Sequence, residues 1–233
     1  VYIPRENAKG TIICMHGYHS TNDIEFVPEV RFLWNLGYSI LLPWQRSHGK
    51  SEGRYITYGV KERHDLKRWI LYTNRHLAAK NKDIFLCGIS MGCATTLMAA
   101  GLDLPDNVKG IIADCGFTSP WDIIKHVAKE RFYLPPFPLM YMVDLISEVV
   151  AGFGLKEVSI PEIMKRNKIP VLFIHGDADD YVPMWMTIKN YEACAAKKEL
   201  YIVSGAGHAL AFSKDMEAVS YTHLRAHETP EHL

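Results

Sequence analysis

The sequence predicts an α/β fold: a mostly parallel open sheet with helices on both faces. Short apolar runs rich in Ile, Leu and Val alternate with longer amphipathic stretches. The runs lack polar alternation, as expected of strands buried on both faces, and the β–α order favours right-handed crossovers between parallel strands. The predicted strands are Thr11–Met15, Tyr38–Pro43, Asp83–Cys87, Gly110–Ala113, Pro170–Ile174 and Glu199–Val203.

Amphipathic segments between these runs predict the helices. Asn22 and Glu25 form a capping-box pattern, in which Glu25 reaches back to the start of a helix that ends near Gly37. Apolar residues at helical spacing predict a further helix over 66–77 and another over 184–196.

Two segments depart from this alternation and define the domain organisation. Within a single domain over 1–219, residues 118–169 are too long for an ordinary crossover and include an apolar, proline-rich run. We expect a small helical cap that lines a substrate pocket, with a helical hairpin packed on the core as the alternative. Residues 220–233 show no apolar stripe and are expected to be an irregular, extraneous tail.

Composition excludes several classes of partner. Lys plus Arg and Asp plus Glu both number 26, so the net charge is zero and nothing favours nucleic acid as a partner. The five cysteines have no CxxC spacing, which predicts reduced thiols in a cytoplasmic protein. No apolar run is long enough to span a bilayer, but the chain begins at Val1, so an upstream anchor or signal segment stays open.

The run Gly88-Ile89-Ser90-Met91-Gly92 carries the strongest chemical signal. It follows a predicted buried strand and precedes small residues that open a helix. A nucleophile on such a tight strand-to-helix turn is held in a strained conformation above the sheet, at the positive end of the helix dipole. Glycines are needed on both sides because side chains there would collide with neighbouring elements. We therefore predict Ser90 as a nucleophile.

A serine hydroxyl needs a general base, and His208 is the predicted one. It lies in a glycine-containing loop directly after the last strand, which can carry the imidazole over the sheet edge. His16 and His175 each precede a glycine and are interpreted as strand-end turn residues. The remaining candidates are interpreted as surface or helix residues: His48, His64, His76 and His126.

A carboxylate must orient the base, and Asp179 is the predicted one. It follows the penultimate strand in a turn that contains three aspartates. Asp177 and Asp180 are interpreted as caps of the turn and of the following helix. Asp114, after the fourth predicted strand, is the rival acid, although a strand-end hydrogen-bonding role fits it better.

The remaining component is a pair of backbone donors for an oxyanion. One is expected to be the N–H of Met91, directly after the nucleophile. The other is expected in the loop after the first predicted strand, at the N–H of Tyr18. Each such donor is typically worth about 2.7–4 kcal/mol of transition-state stabilisation.

These motifs resemble the α/β-hydrolase superfamily. The chain order Ser90, Asp179, His208 matches it, and the runs Arg46–Gly53 and Asp114–Pro120 are similar to small bacterial hydrolases related to serine aminopeptidases and prolyl oligopeptidases. The run His175–Pro183 carries the same resemblance, which covers roughly residues 11–219.

The resemblance implies two antiparallel strands ahead of the six that the sequence predicts. These are expected to be missing, with Tyr2-Ile3-Pro4 as a remnant. It also implies a serine hydrolase that cleaves a carboxylic ester or similar small acyl substrate through an acyl-enzyme, without a metal or an organic cofactor.

Two other functions stay open on the sequence alone. An aminopeptidase would need carboxylates that bind a peptide amino terminus, for which Glu130, Asp144 and Glu148 are candidates, although solvated helix positions explain them as well. The other hypothesis is a non-catalytic binding protein on the same fold.

Two further features of the sequence concern binding rather than the reaction. The apolar insert 132–143 is a candidate for membrane or lipid contact. The tail histidines His223, His227 and His232 could ligate a metal, but no carboxylate or cysteine spacing supports such a site.

Overall fold

The computed structural model describes residues 1–77 and 82–215, which form one twisted sheet covered by helices. The spatial strand order is β1-β3-β2-β4-β5-β6-β7, with every neighbouring pair parallel except β1 and β3. The strands are β1 (Tyr2–Ile3), β2 (Gly10–Met15), β3 (Ser39–Leu41), β4 (Asp83–Ile89), β5 (Val108–Asp114), β6 (Val171–Gly176) and β7 (Lys198–Val203).

All six predicted strands are confirmed, and the edge strand β1 is added to them. β1 pairs antiparallel with β3, placing Tyr2 opposite Leu41 and Ile3 opposite Ile40. The segment expected only as a remnant therefore extends the sheet as a seventh strand. A two-residue strand at a sheet edge is too short to show a hydrophobic pattern in the sequence.

Helices cover both faces of the sheet, as predicted. On one face lie α2 (Val27–Asn35), which the short helix α1 (Asn22–Glu25) precedes, and α9 (Ala211–Lys214). On the other lie α3 (Glu62–Tyr72), α4 (Met91–Ala99), α7 (Ile160–Met164) and α8 (Met184–Ala193). A π-helical turn, Thr73–Leu77, extends α3. Two separate apolar clusters result, one on each face of the sheet.

Two helix predictions need correction. Glu25 does not close a capping box, because its carboxylate accepts a hydrogen bond from the Gly17 N–H group, and the predicted helix is divided at Phe26 into α1 and α2. The helix predicted over 184–196 ends at Ala193, where extended backbone at Cys194 begins the short connection to β7.

The segment 118–169 is helical. It contains α5 (Pro120–Phe132), α6 (Leu139–Ile146), a π-helical turn (Ser147–Ala151) and α7. Three prolines lie between α5 and α6 and interrupt the helix there, as the sequence predicts. Among the described residues, no helix is both long enough and apolar enough to cross a bilayer.

The parallel strands bring the predicted site residues to one edge of the sheet. Ser90 follows β4, Asp179 follows β6 and His208 follows β7, so all three leave the carboxyl ends of parallel strands. Ligand sites of open α/β sheets form outside these ends. The predicted tail 220–233 and its three histidines lie outside the described residues.

Candidate active site

Ser90 occupies a strained turn between β4 and α4. Its backbone has φ 55° and ψ −115°, a combination that L-residues rarely adopt. A Cβ atom on Gly88 would lie 2.4 Å from the Gly92 carbonyl oxygen, and one on Gly92 would lie 1.8 Å from the Met15 carbonyl oxygen. Both glycines are therefore required by close backbone contact, as predicted from the sequence.

The structure brings the side chains of Ser90, His208 and Asp179 into one hydrogen-bonded chain. His208 Nε2 lies 2.9 Å from Ser90 Oγ, and His208 Nδ1 lies 2.7 Å from Asp179 Oδ2. The Asp179 side chain is fully buried, whereas 24% of the His208 side chain is exposed. The hydrogen bonds thus lead from a buried carboxylate to a partly exposed imidazole.

Asp179 is held as a carboxylate by its surroundings. Its Oδ1 atom accepts hydrogen bonds from the N–H groups of Tyr181 and Val182, both at 2.9 Å. Burial favours the neutral acid, but hydrogen bonds from His175 and His208 outweigh it and hold the pKa of Asp179 well below its ordinary value. A carboxylate accepts only, so His208 Nδ1 carries the proton and Nε2 is left to accept from the Ser90 hydroxyl.

The loop Met15–Ser20, here named the oxyanion loop, passes beside Ser90. His16 within it is buried, its Nε2 accepts from the Gln45 N–H at 3.0 Å, and its Nδ1 lies 2.8 Å from the Gly17 oxygen. These partners assign the proton to Nδ1, which donates to Gly17 O. Because a trans peptide is planar, fixing Gly17 O also fixes the direction of the Tyr18 N–H on its opposite side.

The N–H groups of Tyr18 and Met91 are both available to a ligand. No described residue accepts a hydrogen bond from either group. Met91 is the first residue of α4, where backbone N–H groups lack helical partners and the dipole favours negative charge. The assignment of both groups as oxyanion donors stays a prediction.

Most of the chain matches one protein family. Residues 51–226 match the prolyl oligopeptidase family. The chain belongs to this family. It is accordingly an α/β hydrolase, in agreement with the sheet order and the resemblance found in the sequence.

Known relatives of this prolyl oligopeptidase-family hydrolase include proteins with and without an assigned activity. It is 29% identical to the uncharacterized protein YqkD of Bacillus subtilis, over 92% of this chain and 70% of that protein. It is 25% identical to the lysophosphatidylserine lipase ABHD12 of Danio rerio, over 97% of this chain and 56% of the relative. The chain therefore spans from just over half to about two thirds of the length of these curated relatives.

A solved structure shares the fold closely. The esterase Pf2001 of Pyrococcus furiosus superimposes with a TM-score of 0.74 at 25% sequence identity, covering 94% of this chain and 82% of the esterase.

Three carboxyl groups of the hydrolase titrate abnormally around the turn at Ser90. Burial raises the pKa of Glu25 to about 7, although the Gly17 N–H and His208 partly offset it. Burial also raises the pKa of Glu29 to about 7 and that of Asp114 to about 6. Glu29 Oε2 and Asp114 Oδ1 are buried and find no hydrogen-bond partner among the described residues.

Asp114, the rival candidate for the acid, makes no side-chain hydrogen bond to His208. Its backbone carbonyl instead accepts a hydrogen bond from the Ser90 N–H at 2.9 Å.

These raised pKa values predict that the free energy of unfolding falls as the pH rises from about 5 to about 8. Between the ordinary carboxyl pKa and about 7 the folded state keeps protons that the unfolded state has released. The expected fall is about 1–3 kcal/mol, measured by urea unfolding, and Glu29→Gln is expected to flatten the slope. Asp179 acts oppositely, but only below about pH 4, because its stabilisation is lost as pH falls below its ordinary pKa. A stability that rises across this window in the wild-type protein would contradict the assignment.

The insert of the hydrolase contacts the turn that carries Asp179. Arg131 at the end of α5 lies 3.4 Å from Asp180 and 5.0 Å above the Tyr181 ring, which in turn lies 5.1 Å from the His208 ring. Large apolar side chains on its outer surface are exposed, among them Phe137, Tyr141, Met142, Leu145, Val149 and Val150. Met140 faces inward and is buried. The insert therefore reaches the site through Arg131, and its outer surface is apolar.

Two aspartates predicted as caps have other partners. Asp177 accepts hydrogen bonds from Ser204 and from the Gly205 N–H, so it ties the β6 turn to the loop that carries His208. Asp180 is exposed and pairs with Arg131. Both bonds join residues distant in sequence, which local spacing does not reveal.

Two histidines interpreted as turn or surface residues are buried parts of the site. His175 lies 3.3 Å from Asp179 and supports its ionised state. His48 accepts the His19 N–H at 3.1 Å. Its place inside the run Arg46–Gly53, which carried the family resemblance, is the sequence signal that could have identified it. His64, His76 and His126 lie on helices or a helical turn, as predicted.

One described group of side chains has the proximity of metal ligands. Donor atoms of Cys115, Asp179 and His208 all lie within 4.8 Å of one another. Asp179 and His208 are already bonded to each other, and burial raises the pKa of the Cys115 thiol, which leaves it protonated and a weak ligand. This group fits a hydrogen-bonded triad better than a metal centre. All five cysteines are buried free thiols.

Proposed function

We propose that this protein is a serine esterase that cleaves a carboxylic ester through an acyl-enzyme. The carrying observation is the continuous chain from Ser90 Oγ to His208 Nε2 at 2.9 Å and from His208 Nδ1 to Asp179 at 2.7 Å. The three residues come from separate turns at one sheet edge, with Ser90 in a strained backbone conformation and the Asp179 side chain fully buried.

The proposed reaction has two halves. His208 Nε2 takes the hydroxyl proton as Ser90 attacks the carbonyl carbon, and Asp179 stabilises the imidazolium that forms. The N–H groups of Tyr18 and Met91 hold the negative oxygen. His208 then protonates the leaving alcohol, and a water activated by the same imidazole releases the acid from Ser90.

Two further observations support an apolar acyl substrate. The insert, whose outer surface exposes large apolar side chains, reaches the site through Arg131, which lies over the Tyr181 ring next to His208. The structural neighbour Pf2001 is an esterase, and the relative ABHD12 is a lipase.

A peptidase is the second candidate because the family name refers to an oligopeptidase. Two of the three carboxylates that could bind an amino terminus are engaged by their neighbours. Glu130 pairs with Lys129 at 3.0 Å, and Asp144 accepts the Leu155 N–H at 2.7 Å. These contacts favour the esterase.

A substrate panel separates the candidates. We expect the kcat/KM for a short-chain p-nitrophenyl ester to exceed that for an aminoacyl p-nitroanilide by more than about 100-fold, with a thioester between them. A preference for the aminoacyl amide would establish the peptidase instead. A lack of turnover on every member, with no labelling of Ser90 by a fluorophosphonate, would favour the non-catalytic binding protein.

Contact of the insert 132–143 with a membrane or lipid stays a prediction. Its exposed side chains are compatible with an apolar partner, but they fit a bulky apolar substrate equally well.

A further inference from the structure

Of three successive backbone N–H groups in the oxyanion loop, the outer two donate to side chains and the middle one does not. The Gly17 N–H donates to the Glu25 carboxylate, and the His19 N–H donates to His48 Nε2 at 3.1 Å. The Tyr18 N–H between them has no acceptor among the described residues. We infer that Glu25 and His48 are positioning residues, which hold the loop so that the Tyr18 N–H faces the reacting oxygen. The inference rests on the proposed esterase function.

Glu25 restrains the residue with the greatest backbone freedom in the loop. A Cβ atom on Gly17 would lie 2.9 Å from Glu25 Oε1 and 3.4 Å from Ser90 Cβ, so the carboxyl group and the nucleophile both pack against this glycine. Glycine loses more conformational entropy on ordering than any other residue, so a fixed bond to its N–H matters here. The raised pKa of Glu25 leaves this bond intact, because the neutral acid retains an acceptor oxygen.

His48 restrains the other side of the donor. Its Nδ1 lies 2.8 Å from the Arg46 carbonyl oxygen, so Nδ1 carries the proton and Nε2 is an acceptor. The residue that it holds, His19, has φ 54°, a left-handed conformation that needs support from its surroundings.

His16 holds the peptide that lies between the two restraints. The His48 ring packs edge-on against the His16 ring at 4.7 Å, and His16 donates to Gly17 O. The peptide that carries the Tyr18 N–H is thus held at its oxygen by His16 and flanked by residues held by Glu25 and His48. Three elements contribute these side chains: β2 and its loop, α1, and the loop after β3.

This arrangement predicts a kinetic effect confined to the transition state. The carbonyl oxygen becomes negative only as Ser90 attacks, so a displaced Tyr18 N–H weakens the transition state more than substrate binding. A misplacement of about 1 Å can lower a rate by about 100-fold.

Paired substitutions test the inference. Glu25→Ala and His48→Ala are each expected to lower kcat for ester hydrolysis by about 10- to 100-fold, with KM changed by less than about threefold. Glu25→Gln and His48→Gln keep an oxygen acceptor near the original position and are expected to recover kcat to within about threefold of wild type.

A pair of ketones supplies a readout that loss of stability alone would not change. A trifluoromethyl ketone forms an anionic adduct with the serine, whereas the matching methyl ketone binds without one. The alanine variants are expected to lose affinity for the first in proportion to kcat/KM and to keep their affinity for the second. The matched control is Asn167→Ala, which removes a buried amide bonded to Ile169 at the opposite end of the sheet and is expected to leave kcat unchanged.

The inference is overturned if Glu25→Ala and His48→Ala retain wild-type kcat, or if each glutamine variant loses as much as its alanine counterpart. Equal loss of affinity for both ketones would overturn it too. Should one alanine variant fail to fold, the other and both glutamine variants still decide the matter. Ser90→Ala separates the two proposals, because activity retained in that variant removes the esterase mechanism itself, whereas a failure confined to the Glu25 and His48 variants leaves it standing.

Discussion

Replacement of Ser90 by alanine is expected to lower kcat for ester hydrolysis by about 10⁴- to 10⁶-fold. The substitution removes the oxygen that His208 Nε2 contacts at 2.9 Å, while the hydrogen bonds of the Ser90 backbone N–H and carbonyl groups are kept. We expect the free energy of unfolding, measured in urea, to change by less than about 1 kcal/mol, because the side chain is small and makes one hydrogen bond. Steady-state kinetics on a p-nitrophenyl ester provides the measurement.

Ser159→Ala is the matched control for this substitution. Ser159 is exposed at the start of α7, and its side chain makes no capping hydrogen bond. It should retain wild-type kinetics. A Ser90→Ala protein with kcat within tenfold of wild type would exclude Ser90 as the nucleophile.

Asp179→Asn is expected to lower kcat by about 10⁴-fold with little change in fold. The asparagine oxygen can still accept the N–H groups of Tyr181 and Val182, which orients its amide N–H₂ towards His208 Nδ1. A donor at that position forces the proton of His208 onto Nε2. The imidazole then cannot accept the Ser90 proton.

The control for Asp179→Asn is Asp180→Asn. Asp180 is the exposed neighbour that pairs with Arg131, and its amide should leave kcat within about threefold of wild type. Measured kcat for Asp179→Asn within tenfold of wild type would show that the carboxylate does not set the protonation of His208.

The sequence was sufficient to predict much of the fold, because buried strands carry a strong hydrophobic signal. It also indicated which side chains would meet. Ser90, Asp179 and His208 each follow a predicted parallel strand, and the carboxyl ends of such strands share one sheet edge. The strained turn was predictable because Gly88 and Gly92 flank the serine at positions where only glycine fits.

The residues that support the site could not be predicted in the same way. Glu25, His48 and His175 act through hydrogen bonds whose partners are set by tertiary packing. Glu25 even fits a local capping pattern, yet a buried backbone N–H from the oxyanion loop competes successfully for its carboxylate. Only the family resemblance indicated a strand remnant at Tyr2-Ile3-Pro4, because two residues at a sheet edge show no periodicity of their own.

In the insert, the sequence did not predict which side chains are exposed. Its prolines predicted where the helices break, and its apolar composition predicted burial or a ligand surface. Which side chains face outward is decided by how α5 and α6 pack on the core, with Met140 inside and Tyr141 and Met142 exposed.

The central claim is that an activated hydroxyl at Ser90 forms the covalent intermediate. Labelling the folded protein with a fluorophosphonate, followed by peptide mass spectrometry, tests it most directly. We predict stoichiometric modification of the peptide that contains Ser90, and strongly slowed modification in Asp179→Asn and His208→Ala. Ester turnover by a protein whose Ser90 stays unmodified, or a label on a different residue, would contradict the account.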